Sequence, residues 1–232
     1  MVAAAKVNLV VVSHPDDEIL GFGGTGAKFV AAGETVQPVI LCGNVDARNH
    51  RPTDAQLFAD MSEANRRLGF NQPVLGAFPN IRMNTVGHLD LVQFIEAQVL
   101  EFQPHRIFTH HPSDLNDDHK QTCRAALAAA RLFQRRADVR PLEELLLMEV
   151  PSATEWSFRG AGDGCFEPDC YVEIGDFLDR KIEALGCYRN VMRDFPHPRS
   201  PEALRGLATV RGAQSGLGLA EAFQTAFRTN LG

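Results

Sequence analysis

Two clusters of imidazole and carboxylate stand roughly a hundred residues apart in this chain. The first, His14-Pro15-Asp16-Asp17-Glu18, sets one histidine ahead of three consecutive acids. The second, Thr109-His110-His111-Pro112-Ser113-Asp114-Leu115-Asn116-Asp117-Asp118-His119, mixes three histidines with three aspartates. Imidazole nitrogen and carboxylate oxygen together suit a divalent cation such as zinc, and an open catalytic site takes three protein ligands. His14 and Asp17, three apart across the Pro15 turn, can supply one nitrogen and one oxygen. The second cluster offers the third ligand, with His119 at the start of a predicted helix. Asp16 is then left beside the metal as a carboxylate able to take a proton from water.

The next stretch competes with that reading. Gly21-Phe22-Gly23-Gly24-Thr25-Gly26 spells G-x-G-x-x-G, the mark of a dinucleotide site, and Asp46 lies about twenty residues further on. A nicotinamide-dependent oxidoreductase is therefore one rival, and a metal-binding module without catalysis is another. A dinucleotide fingerprint needs its first glycine at the strand end, so that the pyrophosphate rests on backbone amides. Here the seven residues from His14 to Leu20 intervene, and three of them are acids that would repel it. A non-catalytic module would have little use for Asp16. Plainer roles are also open. Asp16 to Glu18 favour a helix start through its dipole, which is the role the sequence offers Glu18. His110 and His111 can be hydrogen-bonded strand-end residues, and Asp117-Asp118 can cap a helix. Two such clusters, each at a strand's carboxyl end, make coincidence a poor account of both.

The elements that must position these residues alternate. Val7–Ser13 is an apolar, β-branched run of the kind buried in a parallel sheet. Gly21–Ala32 reads as a helix closed by Gly33, Thr35–Cys42 as a strand, and Asp54–Leu68 as a helix ended by Gly69. Leu57, Phe58, Met61, Ala64 and Leu68 form its apolar side. Val74–Phe78, Arg106–His110 and Leu145–Val150 read as strands, and His88–Phe102 and Asp117–Arg136 as helices. Tyr171–Ile174 is an edge-strand candidate. From Asp176 onward the reading is helical, broken by the prolines of residues 195–201. The prediction is a single α/β domain over residues 1–232, Rossmann-like, with a mostly parallel sheet and helices on both faces. In such sheets ligands bind outside the carboxyl ends of the strands, where both clusters fall.

Composition narrows the partners. The 232 residues are 44% hydrophobic and 22% charged, ordinary for a globular protein. A net charge of −6 without a Lys/Arg cluster argues against nucleic acid. No run reaches the length of a membrane span, and the start of the chain does not read as a signal peptide. Cys42, Cys123, Cys165, Cys170 and Cys187 have no C-x-x-C spacing and fit a reducing cytoplasm. A homo-oligomer is compatible with all of this.

His14-Pro15-Asp16-Asp17-Glu18, followed by Gly23-Gly24-Thr25, resembles the signature of the PIG-L/LmbE deacetylases. Asp114 through Asp118-His119 resembles their second motif. Weaker similarity runs from Met61 to Gly69, and through Arg211-Gly212 to Ala220-Glu221-Ala222-Phe223. The resemblance implies a zinc-dependent hydrolase that releases acetate from a small N-acetylglucosamine-type sugar or conjugate, on a Rossmann-like fold. It assigns zinc to His14, Asp17 and His119 and the general base to Asp16, in agreement with the ligand chemistry; iron, cobalt or manganese suit the same ligand types. Two departures stand out. Many members carry a histidine three residues before the last zinc ligand, where this chain has Asn116. Many also carry an arginine where this chain has Asp60, three before Glu63. The oxyanion donor is thus expected from Asn116, His110, His111 or His197, and a replacement substrate contact from Arg48 or Arg199.

Overall fold

The computed structural model describes residues 5–44, 52–158 and 164–229. Strand β1 (Val7–Val12) shows no polar alternation because both its faces are covered. Val10 and Val12 enter one core, while Leu9 and Val11 enter the other. Strands β2 (Thr35–Ile40), β3 (Val74–Leu75), β4 (Arg106–His110) and β5 (Glu144–Met148) run parallel to it. With β6 (Cys170–Glu173) and β7 (Ala220–Arg228) they form a 7-stranded sheet in the order β3-β2-β1-β4-β5-β7-β6, in which β7 is antiparallel to both neighbours. The expected mostly parallel α/β architecture is present.

Helices cover both faces. Residues of α1 (Asp17–Ala31), α2 (Asp54–Leu68), α5 (Leu178–Leu185) and α6 (Pro201–Ser215) fill the first core, built around Phe22, Phe108 and Phe223. Those of α3 (His88–Phe102) and α4 (Asp117–Ala129) fill the second. From β1 the chain first moves to β2 on one side, and later places β4 on the other. The crevice at the carboxyl ends of β1 and β4 is therefore the point where strand order reverses, the place where ligands lodge in open α/β sheets. Among the described residues no helix is long and apolar enough to cross a membrane.

The glycine pattern serves packing. A Cβ on Gly21 would lie 2.6 Å from Met148 Sδ, and one on Gly26 would collide with the Phe70 ring. Near Gly24 a buried ion pair docks onto α1. Lys181 Nζ donates to the Leu20 carbonyl at 2.7 Å and pairs with Glu221 at 2.7 Å, while the N–H groups of Gly24 and Thr25 donate to the Glu221 carboxylate at 2.9 and 2.7 Å.

Several expectations need correction. The C-terminal segment is not helical throughout, because Ala220–Arg228 is strand β7. Its alanines, glutamate and glutamine carry helix propensity, but pairing on both edges and burial of Phe223 override it. Helix α1 starts at Asp17 rather than Gly21, and α4 stops at Ala129, followed by a 3-10 turn at Leu132–Gln134. Phe58, expected on the apolar side of α2, is half-exposed. Pro201 does not only break structure: it occupies the first turn of α6 behind the Ser200 cap, where a missing N–H costs nothing.

Candidate metal centre

The turn after β1 builds the centre. Asp16 adopts φ 105° and ψ −28°, a left-handed conformation that costs a non-glycine residue about 1–3 kcal/mol. The turn lets α1 begin at Asp17, whose Oδ2 accepts the His14 N–H at 3.0 Å. His119, in the first turn of α4, comes down from the end of β4 against the same carboxylate. His14 Nδ1 lies 3.4 Å and His119 Nε2 3.2 Å from Asp17 Oδ2. Three candidate ligand atoms from His14, Asp17 and His119 all lie within 4.8 Å of one another, and all three residues are buried.

Each imidazole is fixed from behind by a carboxylate. Asp118 Oδ2 sits 2.9 Å from His14 Nε2, and Asp114 Oδ2 sits 2.8 Å from His119 Nδ1. Asp118 is itself held by the backbone N–H groups of Ile81 and Met83, at 2.6 and 2.9 Å. A carboxylate behind each ring fixes its tautomer and leaves the opposite nitrogen for a cation, the arrangement typical of metal-ligating histidine. Burial alone would lower the His119 pKa, but the facing carboxylates of Asp17 and Asp114 outweigh it and raise it to about 10. For His14, burial is outweighed in the same way by Asp118 and Asp17, which raise its pKa. Asp17 resists the upward push of burial and is held well below the usual carboxylate range by the charge and hydrogen bonds of His119 and His14. The donor set and its charge balance fit a divalent cation.

A second grouping, His110, Asp114 and His119, is equally close. It suits an ion poorly. The two rings are stacked, with centroids 3.8 Å apart and planes at 15°, so their in-plane lone pairs run parallel and do not converge. His110 Nε2 accepts the Ser13 N–H at 2.9 Å, which pins the end of β4 to the end of β1. Burial and the neighbouring His119 keep its pKa well below normal, so the ring is neutral.

The centre opens into a cleft of about 510 Å³. Asp16, Asn116, Arg199 and Trp156 line it beside the three candidate ligands, with Ile81 and Leu115 at its rim. Arg199 Nη1 lies 3.4 Å from Asp16 Oδ2, while its Nε donates to Ser152 Oγ at 2.7 Å. Asn116 caps α4: its Oδ1 accepts the Asp118 N–H at 3.0 Å, leaving the amide NH2 as a donor. His197 stands behind this wall, its ring edge-on to Trp156 with centroids 5.5 Å apart and its Nδ1 accepting the Arg199 N–H. His110 and His111 do not line the cleft. His111 is tied to Ser113 Oγ at 2.6 Å and Gln224 Oε1 at 3.0 Å. Arg48 lies outside the described residues.

Sequence reasoning missed the supports. Asp114 and Asp118 were visible in the second cluster, but only the folded α4 start shows that each backs a histidine. Glu18 has more to do than favour a helix start. Fully buried, it accepts the Asp16 N–H at 3.0 Å through Oε2, and through Oε1 it accepts Asn65 Nδ2 at 2.9 Å and the Tyr188 hydroxyl. Burial pushes its carboxyl up to about 7, against the hydrogen bonds from Tyr188 and Asn65.

Comparison with known proteins meets this geometry from outside. Over 194 residues the chain is 26% identical to the probable N-acetyl-alpha-D-glucosaminyl L-malate deacetylase 2 of Bacillus cereus, covering 78% of this chain and 82% of that protein. Its fold matches that of the N,N'-diacetylchitobiose deacetylase of Pyrococcus horikoshii with a TM-score of 0.76 at 19% identity, over 96% of this chain and 84% of the other. It matches equally the 4-carboxy-2-hydroxymuconate hydratase GalB of Pseudomonas putida, with a TM-score of 0.75 at 20% identity over 98% of each. Fold alone thus does not choose a reaction. The family model described as PIG-L, GlcNAc-PI de-N-acetylase, spans residues 9–130, more than half the chain and the whole of both clusters. With His14, Asp17 and His119 gathered at the sheet's switch point inside that span, the chain belongs to the PIG-L family.

Proposed function

We propose that this protein is a zinc-dependent deacetylase that hydrolyses the acetamide of a small N-acetylated amino sugar or its conjugate, of N-acetylglucosamine type. The observation that carries the reading is the convergence of His14 Nδ1 and His119 Nε2 on Asp17 Oδ2, each ring backed by its own carboxylate, with Asp16 beside them in an open cleft. His14, Asp17 and His119 would hold the metal; a cation there supplies Lewis acidity, which polarises a carbonyl and acidifies water. Asp16 accepts the proton of the attacking water as the new C–O bond forms at the acetyl carbon. It returns that proton to the nitrogen as the C–N bond breaks, so acetate and a free amine leave. Asn116, whose amide NH2 is not used by the cap, is the donor we assign to the developing oxyanion. Arg199, braced by Ser152, orients the Asp16 carboxylate and borders the substrate. Trp156 offers an aromatic face for the sugar ring. The five cysteines are free thiols, which suits a reducing compartment such as the cytoplasm.

The test is acetate release from a panel of N-acetylglucosaminides with neutral, malyl and phosphoryl aglycones, with and without chelator, alongside elemental analysis of the purified protein. Chelator-sensitive release with one zinc per chain supports the reading. Metal-bearing protein that releases no acetate from any member, yet hydrates an unsaturated carboxylic acid, would replace it with the hydratase alternative.

A further inference from the structure

Asp16 lines the cleft from a backbone conformation that aspartate disfavours, with φ at 105°. Its carbonyl is bound into α1 through the N–H groups of Ile19 and Leu20, at 3.1 and 2.9 Å. Its own N–H is taken by Glu18 Oε2. Glu18 is anchored from two other elements: Asn65, inside α2, and Tyr188, in the turn after α5, both converge on Oε1. A carboxylate with no exposed surface carries a desolvation penalty that a well-packed apolar side chain would not. What an apolar side chain could not do is grip the peptide of Asp16.

We propose that Glu18, braced by Tyr188 and Asn65, is a positioning residue that holds Asp16 in its left-handed turn and so aims the Asp16 carboxylate at the reacting water, without touching substrate or metal. This rests on the function proposed above. It places the control of Asp16 in a buried chain of contacts that reaches α2 and the segment after α5.

Replacements at two positions, made in the metal-loaded protein, test it. Glu18→Ala removes the grip, and we expect kcat to fall about a hundredfold with KM and metal content unchanged. Glu18→Gln should restore most of the rate. Its side-chain oxygen can still take the Asp16 N–H, and its NH2 can donate to the Tyr188 hydroxyl oxygen, which accepts as well as donates. Tyr188→Phe keeps the ring and removes only the hydroxyl, so it carries the same expectation on a smaller scale, a several-fold loss of kcat, should Glu18→Ala not fold. Hydrogen exchange at the Asp16 amide gives a readout independent of turnover: it should quicken in Glu18→Ala and Tyr188→Phe and stay slow in Glu18→Gln. The proposal is overturned if Glu18→Ala keeps native kcat and slow exchange, or if its lost rate matches lost metal. An inactive wild-type protein would sink the deacetylase reading instead, and the exchange rates would still decide whether Glu18 holds Asp16.

Discussion

Replacing Asp114 by asparagine separates a ligand support from ordinary packing. Asp114 Oδ2 accepts from His119 Nδ1 at 2.8 Å, so once the Nε2 proton is lost the lone pair on Nε2 is left for a cation shared with Asp17. Asparagine is nearly isosteric but can offer its NH2 to Nδ1, which would move the ring proton to Nε2 and aim it at the metal position. Losing a carboxylate of this kind typically weakens metal affinity 10–100-fold, about 1.4–2.7 kcal/mol. The pH course carries a second signature. His119 has its pKa raised to about 10, so at neutral pH a cation must displace its proton, and apparent affinity should climb with pH until that proton is gone. Near pH 7 the climb should be roughly tenfold per unit for one displaced proton. Without Asp114, one of the two carboxylates that raise the pKa is missing, so the variant's affinity should level off at lower pH. Zinc titration against a chromogenic chelator between pH 6 and 9, with calorimetry in buffers of different ionisation enthalpy, measures both effects. Unchanged affinity with an unchanged pH course would refute the reasoning and leave Asp114 as a packing residue.

Asp16→Asn should retain its metal by elemental analysis and lose roughly 10²–10⁴-fold in kcat for acetate release, because the proton acceptor is gone while the three ligands remain. His14→Ala should purify with substoichiometric metal and little activity, and adding zinc should not restore native occupancy. Trp156→Ala should raise KM about tenfold with kcat nearly unchanged, as expected if ~1.4 kcal/mol of apolar and aromatic contact to the sugar is removed; an unchanged KM would take Trp156 out of the substrate site. Glu221→Gln leaves Lys181 buried without its counter-charge and should cost about 3–5 kcal/mol in urea unfolding; a loss below 1 kcal/mol would mean that the pair is dispensable.

Much of the site could be read from the sequence because its chemistry is short-range in the chain. His14, Asp16 and Asp17 share one turn, and Asn116 and His119 share one helix start, each directly after an apolar strand whose burial leaves little choice of conformation. The strand, helix, strand rhythm then brings the two clusters together at the carboxyl ends of two neighbouring strands. What escaped depends on side chains that meet from distant elements. Nothing near Glu18 in the chain announces Tyr188 or Asn65, and His110 and His111, attractive as oxyanion donors, turn out to be occupied by Ser13, Ser113 and Gln224. β7 escaped for another reason. Its Ala-Glu-Ala sequence favours a helix locally, and only the two open strand edges it fills make it extended.

Those two edges give the last segment an authority over the first. Among the described residues strand β6 has β7 as its one neighbour in the sheet, and Glu221 on β7 reaches back to Gly24 and Thr25, 197 and 196 positions earlier. A nascent chain that has already emerged with both His/Asp clusters therefore still lacks the strand that closes the sheet and clasps the helix behind Asp17. Contacts of such long sequence separation form late in folding. A chain cut short before Ala220 would carry His14, Asp17 and His119 and still lack the strand that joins β6 and the Gly24–Thr25 turn of α1 to the rest of the sheet.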